Sequence, residues 1–137
     1  MGIDSRAWLV IPAYNESATL LGVVEDAARH VGNIVVVDDG SVDGTADTLT
    51  GLPITLLTHT VNRGKAASLL DGLRHAIRQG AEHVLTMDGD AQHRADDIPT
   101  LLRAAREQPD RLVVGSRFHD PNVIPAGRRR SNRVANF

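Results

Sequence analysis

Cysteine is absent from this 137-residue chain, which excludes disulfides, thiolate metal sites and a cysteine nucleophile at once. Long apolar runs are missing as well. Runs such as Ile34 to Val37 are the size of a strand and far short of the ~20 residues a membrane-spanning helix needs. The six histidines show no metal-ligand spacing, having neither an H-x-x-x-H pair nor a cysteine partner. His30, His59, His75, His83 and His119 read as surface or packing residues, and His93 stands apart only because it adjoins an acidic loop. There is no internal repeat, and the six prolines and twelve glycines are too scattered to form a low-complexity block. Net charge is only −2, so nothing global suggests a nucleic-acid partner. One basic concentration exists, Arg128, Arg129, Arg130 and Arg133, suited to a phosphate, to an anionic membrane surface, or to being a solvated tail. A strand pattern is already under way at Ala7, which leaves no room for a signal peptide, so a soluble cytoplasmic protein is expected.

What remains is a composition of 42% hydrophobic and 23% charged residues, that of one globular domain with a single core. Five short apolar runs, residues 7–12, 33–38, 54–58, 83–87 and 112–115, read as strands. Between them lie helical patterns. Residues 17–30 carry Leu20, Val23, Val24 and Ala27 on one stripe that Val31 extends, and residues 65–79 repeat the device through Ala66, Leu69, Leu70, Leu73, Ala76 and Ile77. Residues 43–49 suit a short helix capped by Asp43, and residues 96–107 a helix with acids and Pro99 in its first turn. Continuous apolar strands, each followed by a helix, predict an α/β domain with a mostly parallel sheet and helices on both faces.

Such sheets bind ligands beyond the carboxyl ends of their strands. The chemically capable residues of this sequence stand at those places. Tyr14-Asn15-Glu16 follows the first strand, Asp38-Asp39-Gly40-Ser41 the second, Asn62-Arg63-Gly64-Lys65 the third, Asp88-Gly89-Asp90 the fourth and Ser116-Arg117 the fifth. In Asp88-Gly89-Asp90-Ala91-Gln92-His93, two carboxylates and an amide oxygen offer hard ligands for Mg²⁺ or Mn²⁺. Side chains two apart on a strand lie roughly 6.5–7 Å apart, so both reach one ion only if the backbone bends, which Gly89 permits. A solvated acidic loop is the plain alternative. Asp38 and Asp39 can accept hydrogen bonds from ribose hydroxyls or base N–H groups, or can simply build a turn. Arg117 could grip a diphosphate in bidentate fashion, and Lys65, opening a helix, is an anion-site candidate.

In order along the chain, Ile11-Pro12-Ala13-Tyr14-Asn15-Glu16, Val37-Asp38-Asp39-Gly40-Ser41 with Asp43-Gly44-Thr45, Asn62-Arg63-Gly64-Lys65, Asp88 to His93 and Gly115-Ser116-Arg117 resemble the family 2 glycosyltransferases. Within these they look most like the dolichol- or polyprenyl-phosphate sugar synthases. The resemblance implies a Rossmann-like GT-A fold and an inverting, Mg²⁺- or Mn²⁺-dependent transfer from a GDP- or UDP-linked sugar. It implies that Pro12, Tyr14, Glu16 and Asp39 hold base and ribose, that Lys65 and Arg117 join the donor site, and that Asp88 sits beside ribose or metal. Asp88, Asp90 and Gln92 become the metal ligands, Asp90 and Arg117 the catalytic residues, and Arg129 and Arg130 contacts for an acceptor phosphate. An anionic lipid phosphate as acceptor would need no protein base, and would place the protein peripherally at the inner membrane face.

Members of that branch continue well past the point where this chain stops, at Phe137 within the apparent start of a helix. The expectation is a nucleotide-sugar-binding core over residues 1–118 and a basic loop opening an incomplete acceptor-side segment over residues 119–137. A domain truncated in this way should bind nucleotide and transfer sugar poorly. A dinucleotide dehydrogenase would carry G-x-G-x-x-G where this chain has Pro12-Ala13-Tyr14-Asn15-Glu16. A phosphatase would place its D-x-D on the first strand. A sugar-1-phosphate nucleotidyltransferase, lacking here its glycine-rich first loop, and a catalytically inactive nucleotide-sugar-binding module are the remaining alternatives. Oligomeric state is left open.

Overall fold

The computed structural model describes residues 3–115. In chain order it forms β1 (Ala7–Ala13), α1 (Leu20–Ala27), β2 (Asn33–Asp38), a 3-10 turn (Ala46–Leu49) and β3 (Thr55–Thr58). Then come α2 (Lys65–Arg78), β4 (His83–Thr86), a second 3-10 turn (Ala95–Asp97) and α3 (Ile98–Glu107). Among the described residues every strand pairing is parallel, in the order β3-β2-β1-β4.

β1 and β2 are buried along nearly their whole length, which is why they read as unbroken apolar runs. Alternate residues go to opposite faces. Leu9, Ile11, Ile34 and Val36 pack with Leu20 and Val24 of α1 and with Ile98 and Leu102 of α3. Val10, Val35 and Val37 turn the other way, toward Leu69 and Leu73 of α2. α2 lies close on that face because Gly72 has no side chain. A Cβ there would overlap Val10 Cγ1 and stand 3.2 Å from Val37 Cγ2.

The expected α/β sheet with helices on both faces is therefore present, with three local corrections. Residues 112–115 do not form a fifth strand. An apolar run becomes a strand only with a ladder partner, and Leu112, 91% exposed, and Val114, 62% exposed, pair with none of the four strands. The helix expected over residues 43–49 is a 3-10 turn that starts at Ala46. Asp43 instead accepts hydrogen bonds from the Thr45 N–H (3.0 Å), the Thr45 hydroxyl and the Ser17 N–H (3.1 Å), so its carboxylate ties loops rather than capping a helix. α1 begins three residues late, at Leu20. It is preceded by a turn in which the Glu16 carbonyl accepts the Thr19 N–H (3.1 Å) and the Leu20 N–H (3.0 Å).

β1 outruns β4. Their ladder ends with Val10 opposite Thr86, whereas β1 and β2 stay paired to Ala13 opposite Asp38. The Val10 carbonyl accepts the Met87 N–H at 3.1 Å. Two residues on, Pro12 turns its backbone to the same side, where no ladder partner is left. A proline with no N–H to donate is tolerated there although the strand is central. Strand order reverses across this gap, and a crevice opens at the carboxyl ends of β1 and β4, the switch point at which parallel sheets bind ligands.

Candidate functional site

The floor of the crevice is two loops tied together. The Asn15 N–H donates to Ser41 Oγ (2.9 Å), while Asn15 Oδ1 accepts the Val42 N–H (3.0 Å). Asn15 takes the left-handed conformation, φ 51°, that this short polar side chain tolerates better than most. The Glu16 N–H reaches Thr45 Oγ1 at 2.9 Å. Where the two strands beneath end, the Asp39 N–H bonds to the Ala13 carbonyl at 2.8 Å.

Asp39 is 3% exposed and carries most of the third loop. Its Oδ1 takes the His59 Nδ1 at 2.7 Å and the Arg63 N–H at 2.8 Å, and its Oδ2 takes the Gly64 N–H at 2.8 Å. These use three of roughly four acceptor positions on a carboxylate, leaving one on Oδ2 for a ligand. Burial pushes the Asp39 carboxyl up, but the bonds from His59, Arg63 and Gly64 outweigh it and hold it below the usual carboxylate range. Gly40 completes the arrangement. With φ +74°, it lets residues 61–62 lie directly against the end of β2, where a Cβ would stand 2.6 Å from the Val61 carbonyl carbon and 2.7 Å from the Asn62 nitrogen.

The acidic wall comes from the loop after β4. Lys65 Nζ meets Asp88 Oδ1 at 2.5 Å. Thr19 Oγ1 donates to the Gly89 carbonyl at 2.6 Å, and the Asp88 N–H donates to His93 Nδ1 at 3.0 Å, so both ends of the turn are held. The bend between the two aspartates is not supplied by left-handed freedom at Gly89. The left-handed residue is Ala91, φ 62°. Gly89 serves by being small, since a Cβ there would come within 3.1 Å of Leu20 Cδ1 and 3.4 Å of Glu16 Oε2. A non-glycine residue held left-handed costs about 1–2 kcal/mol, strain of the kind stored at functional sites. Burial first, then the charges of Asp90 and Asp88, raise the Glu16 carboxyl above its ordinary range.

The six expected donor contacts among the described residues, Pro12, Tyr14, Glu16, Asp39, Lys65 and Asp88, all line one cavity of about 270 Å³. Asp90 joins them. Gln92 does not line it; its backbone N–H donates to Asp90 Oδ1 at 3.0 Å. Arg117, Arg129 and Arg130 lie outside the described residues. Ser68 also lines the cavity, and its buried Oγ has no hydrogen-bond partner among the described residues, an orphan that a ligand group could satisfy. A second cavity, about 380 Å³, lies between α1 and residues 91–96 and holds none of the expected donor contacts.

The sequence model described as "Glycosyl transferase family 2" matches residues 8–137. The chain belongs to glycosyl transferase family 2. Among family 2 relatives it is 32% identical to the UDP-N-acetylglucosamine–dolichyl-phosphate N-acetylglucosaminyltransferase of Methanococcus voltae, over 86% of this chain and 54% of that protein. It is 33% identical to the undecaprenyl-phosphate mannosyltransferase of Micrococcus luteus, over 82% of this chain and 48% of the relative. The family 2 chain thus spans about half the length of the curated relatives it matches. In fold it is similar to the glucosyl-3-phosphoglycerate synthase of Mycobacterium tuberculosis solved with Mn²⁺ and UDP (TM-score 0.59, 24% identity, 71% of this chain, 38% of that one). It is also similar to S. aureus TarS 1–349 solved with UDP (TM-score 0.63, 20% identity, 82% and 39%). These likenesses establish the GT-A fold.

Three side chains of this family 2 site carry no sequence signal. His59 and Thr19 act through partners 12 to 70 residues away, and Ser68 stands out only by its place on the cavity wall, none of which spacing can reveal. The titratable groups in and around the site also set a pH window. Hydrogen bonding to Asp39 raises His59 above 6.5, so its stabilisation is complete below about 6.5 and lost as pH rises through the raised value. Asp39 and Asp71 are held below 3.8, so theirs is present above about 3.8 and lost as pH falls through the lowered values. Asp43, lowered to about 2 chiefly by the Thr45 hydroxyl, acts in the same direction as these two. Glu16, raised above 4.5 chiefly by burial, costs stability as pH rises from about 4.5, so stability should peak toward the acid end of a window between about pH 4 and 6.5. Urea midpoints at pH 5.5 and 8.5 check this, and a higher midpoint at 8.5 would contradict the assignment.

Proposed function

We propose that the chain is the donor-binding part of an inverting, metal-dependent glycosyltransferase that moves a sugar from a nucleoside diphosphate to a polyprenyl phosphate at the inner membrane face. The observation that carries this reading is the gathering of Pro12, Tyr14, Glu16, Asp39, Lys65, Asp88 and Asp90 on one cavity at the sheet's switch point. Pro12, Tyr14 and the open position on Asp39 suit the nucleoside, and Lys65 suits the diphosphate.

Among the described residues no three histidine, cysteine or carboxylate side chains are gathered closely enough to hold an ion on their own. The cavity nevertheless carries an excess of negative charge, since Glu16, Asp88 and Asp90 face one Lys65 and Glu16 feels both aspartates. Two carboxylates fit an ion of the Mg²⁺ or Mn²⁺ type, which completes its shell with phosphate oxygens and water. Asp88 and Asp90 would be its ligands, with Gln92 orienting Asp90 through its amide. When bound, such an ion neutralises charge developing on the departing diphosphate. Lys65 adds a second positive charge at the same place, and the named relatives supply the precedent for a lipid phosphate that is already anionic and needs no general base.

Thermal unfolding with GDP or UDP, each with Mn²⁺ and with chelator, tests donor binding. A nucleotide at 100 times its dissociation constant adds about 2.7 kcal/mol, which raises the midpoint of a chain this size by roughly 9 °C. A Mn²⁺-dependent shift with one base supports the reading and identifies the base. A folded sample that shifts with neither nucleotide defeats it.

A further inference from the structure

His59 sits between two carboxylates from different elements. Its Nδ1 meets Asp39 Oδ1 at the end of β2 (2.7 Å), and its Nε2 meets Asp71 Oδ2 on α2 (3.0 Å). Its side chain is only 9% exposed. Both ring nitrogens face carboxylate oxygens, which a doubly protonated ring satisfies together; the Arg63 guanidinium, 3.4 Å from Nε2, is the one donor on that side and the longer contact. The same Asp39 oxygens hold the Arg63 and Gly64 amides, the two residues that lead into Lys65. Arg63 closes the circuit, with its guanidinium 3.0 Å from Asp71 Oδ2, and Arg74 stands 3.6 Å from Asp71 Oδ1.

We propose that His59 is a positioning residue, a two-sided clamp between Asp39 and Asp71 that holds residues 63–65, and with them the Lys65 ammonium, at the donor cavity. The proposal rests on the donor-binding reading above. The titratable and charged groups facing His59 are Asp39 from β2, Asp71 from α2 and Arg63 from the intervening loop. The first two favour the imidazolium and the third opposes it, with a net rise driven first by the Asp39 hydrogen bond. When the ring loses its second proton, one of the two carboxylates faces a bare nitrogen. The clamp opens on the Asp39 or the Asp71 side, and the loop is released.

The test uses the free chain first. Backbone amide NMR signals of Arg63 and Gly64 should titrate with the same midpoint as the His59 ring, and Asp71→Asn should lower that midpoint. Donor affinity, measured by calorimetry with Mn²⁺ and a UDP- or GDP-sugar, should weaken roughly tenfold as pH rises through it, the scale of one charge-assisted hydrogen bond. His59→Asn keeps a donor toward Asp39 but cannot reach Asp71 or change charge, so its affinity should be flat with pH. A ring that titrates while the Arg63 and Gly64 amides stay still overturns the clamp, whatever the ligand does. Donor affinity that is independent of pH in the wild type also overturns it. Absence of donor binding at every pH defeats the donor-binding reading instead, and the amide titration still decides the clamp. If either variant fails to fold, the wild-type titration by itself still supports or overturns the clamp.

Discussion

Gly40→Ala should lower the unfolding midpoint by on the order of 10 °C and abolish nucleotide binding even where the protein stays folded. Two costs combine. An L-residue at φ +74° is left-handed, at about 1–2 kcal/mol. The new Cβ would also stand 2.6 Å from the Val61 carbonyl carbon and 2.7 Å from the Asn62 nitrogen, and because these are backbone atoms no side-chain rotation relieves the overlap. Overpacking of this kind typically costs about 1–3 kcal/mol. The relief available is for residues 61–62 to move off the end of β2, which strips the Arg63 and Gly64 amides from Asp39 and leaves a buried carboxylate short of donors. Gly40→Asn separates the two costs, since asparagine tolerates the left-handed conformation but still carries a Cβ. If overlap dominates, both variants fall together; if strain dominates, asparagine recovers much of the loss. A midpoint for Gly40→Ala within about 2 °C of wild type would falsify the account of how this loop is seated.

Asp90→Ala should do the reverse, removing function while sparing the fold. Asp90 is partly exposed and its carboxylate accepts the Gln92 N–H, so little structure depends on it. It also contributes to the repulsion that, after burial, raises Glu16. Its removal relieves that repulsion, and the unliganded chain should melt at an unchanged or slightly higher temperature. The Mn²⁺-dependent shift with nucleotide should vanish, corresponding to a loss in affinity of about a hundredfold or more, roughly 2.7 kcal/mol. In a protein that transfers sugar, loss of the ion's charge stabilisation should slow turnover by about a thousandfold, near 4 kcal/mol. Retention of the metal-dependent shift by Asp90→Ala would remove this carboxylate from the ion site. A large fall in the unliganded midpoint would show instead that it supports the fold.

The sheet and the approximate positions of its helices are legible from periodicity, because β1 and β2 are buried on both faces. The stripe expected on α2 is only half right: Leu69, Leu73 and Ala76 face the sheet, but Ala66, Leu70 and Ile77 are exposed and Ser68 and Gly72 are buried in their place. The post-strand loops are legible too, since parallel topology forces their contents together. What cannot be read depends on partners remote in sequence. The apolar run at residues 112–115 looks like a strand until one asks what it pairs with. Asp43 has the chemistry of a helix cap but spends its carboxylate on Thr45 and Ser17. Gly89 looks like the hinge of the acidic loop, yet the left-handed residue is Ala91 and the glycine is there to clear Leu20 and Glu16. His59 reads as a surface or packing residue because neither Asp39 nor Asp71 is near it in sequence.

The ties between the loops after β1 and β2 bear on attempts to re-engineer which donor this scaffold accepts. Asn15 both gives and receives a bond across the seam, Glu16 depends on Thr45 and Ser17 on Asp43. A graft of residues 14–17 from a relative brings backbone amides that still meet Ser41, Asp43 and Thr45, and loses only the acceptor of the Val42 N–H if residue 15 changes, whereas a graft of residues 41–45 can strand three amides at once. Residues 41–45 are therefore the segment whose side chains must be kept, although 23 intervening residues (18–40) separate them in sequence from the amides they hold. Chimeras that move residues 14–17 with asparagine kept at position 15 should retain their melting temperature, and those that replace Ser41, Asp43 and Thr45 should lose it before any question of specificity arises.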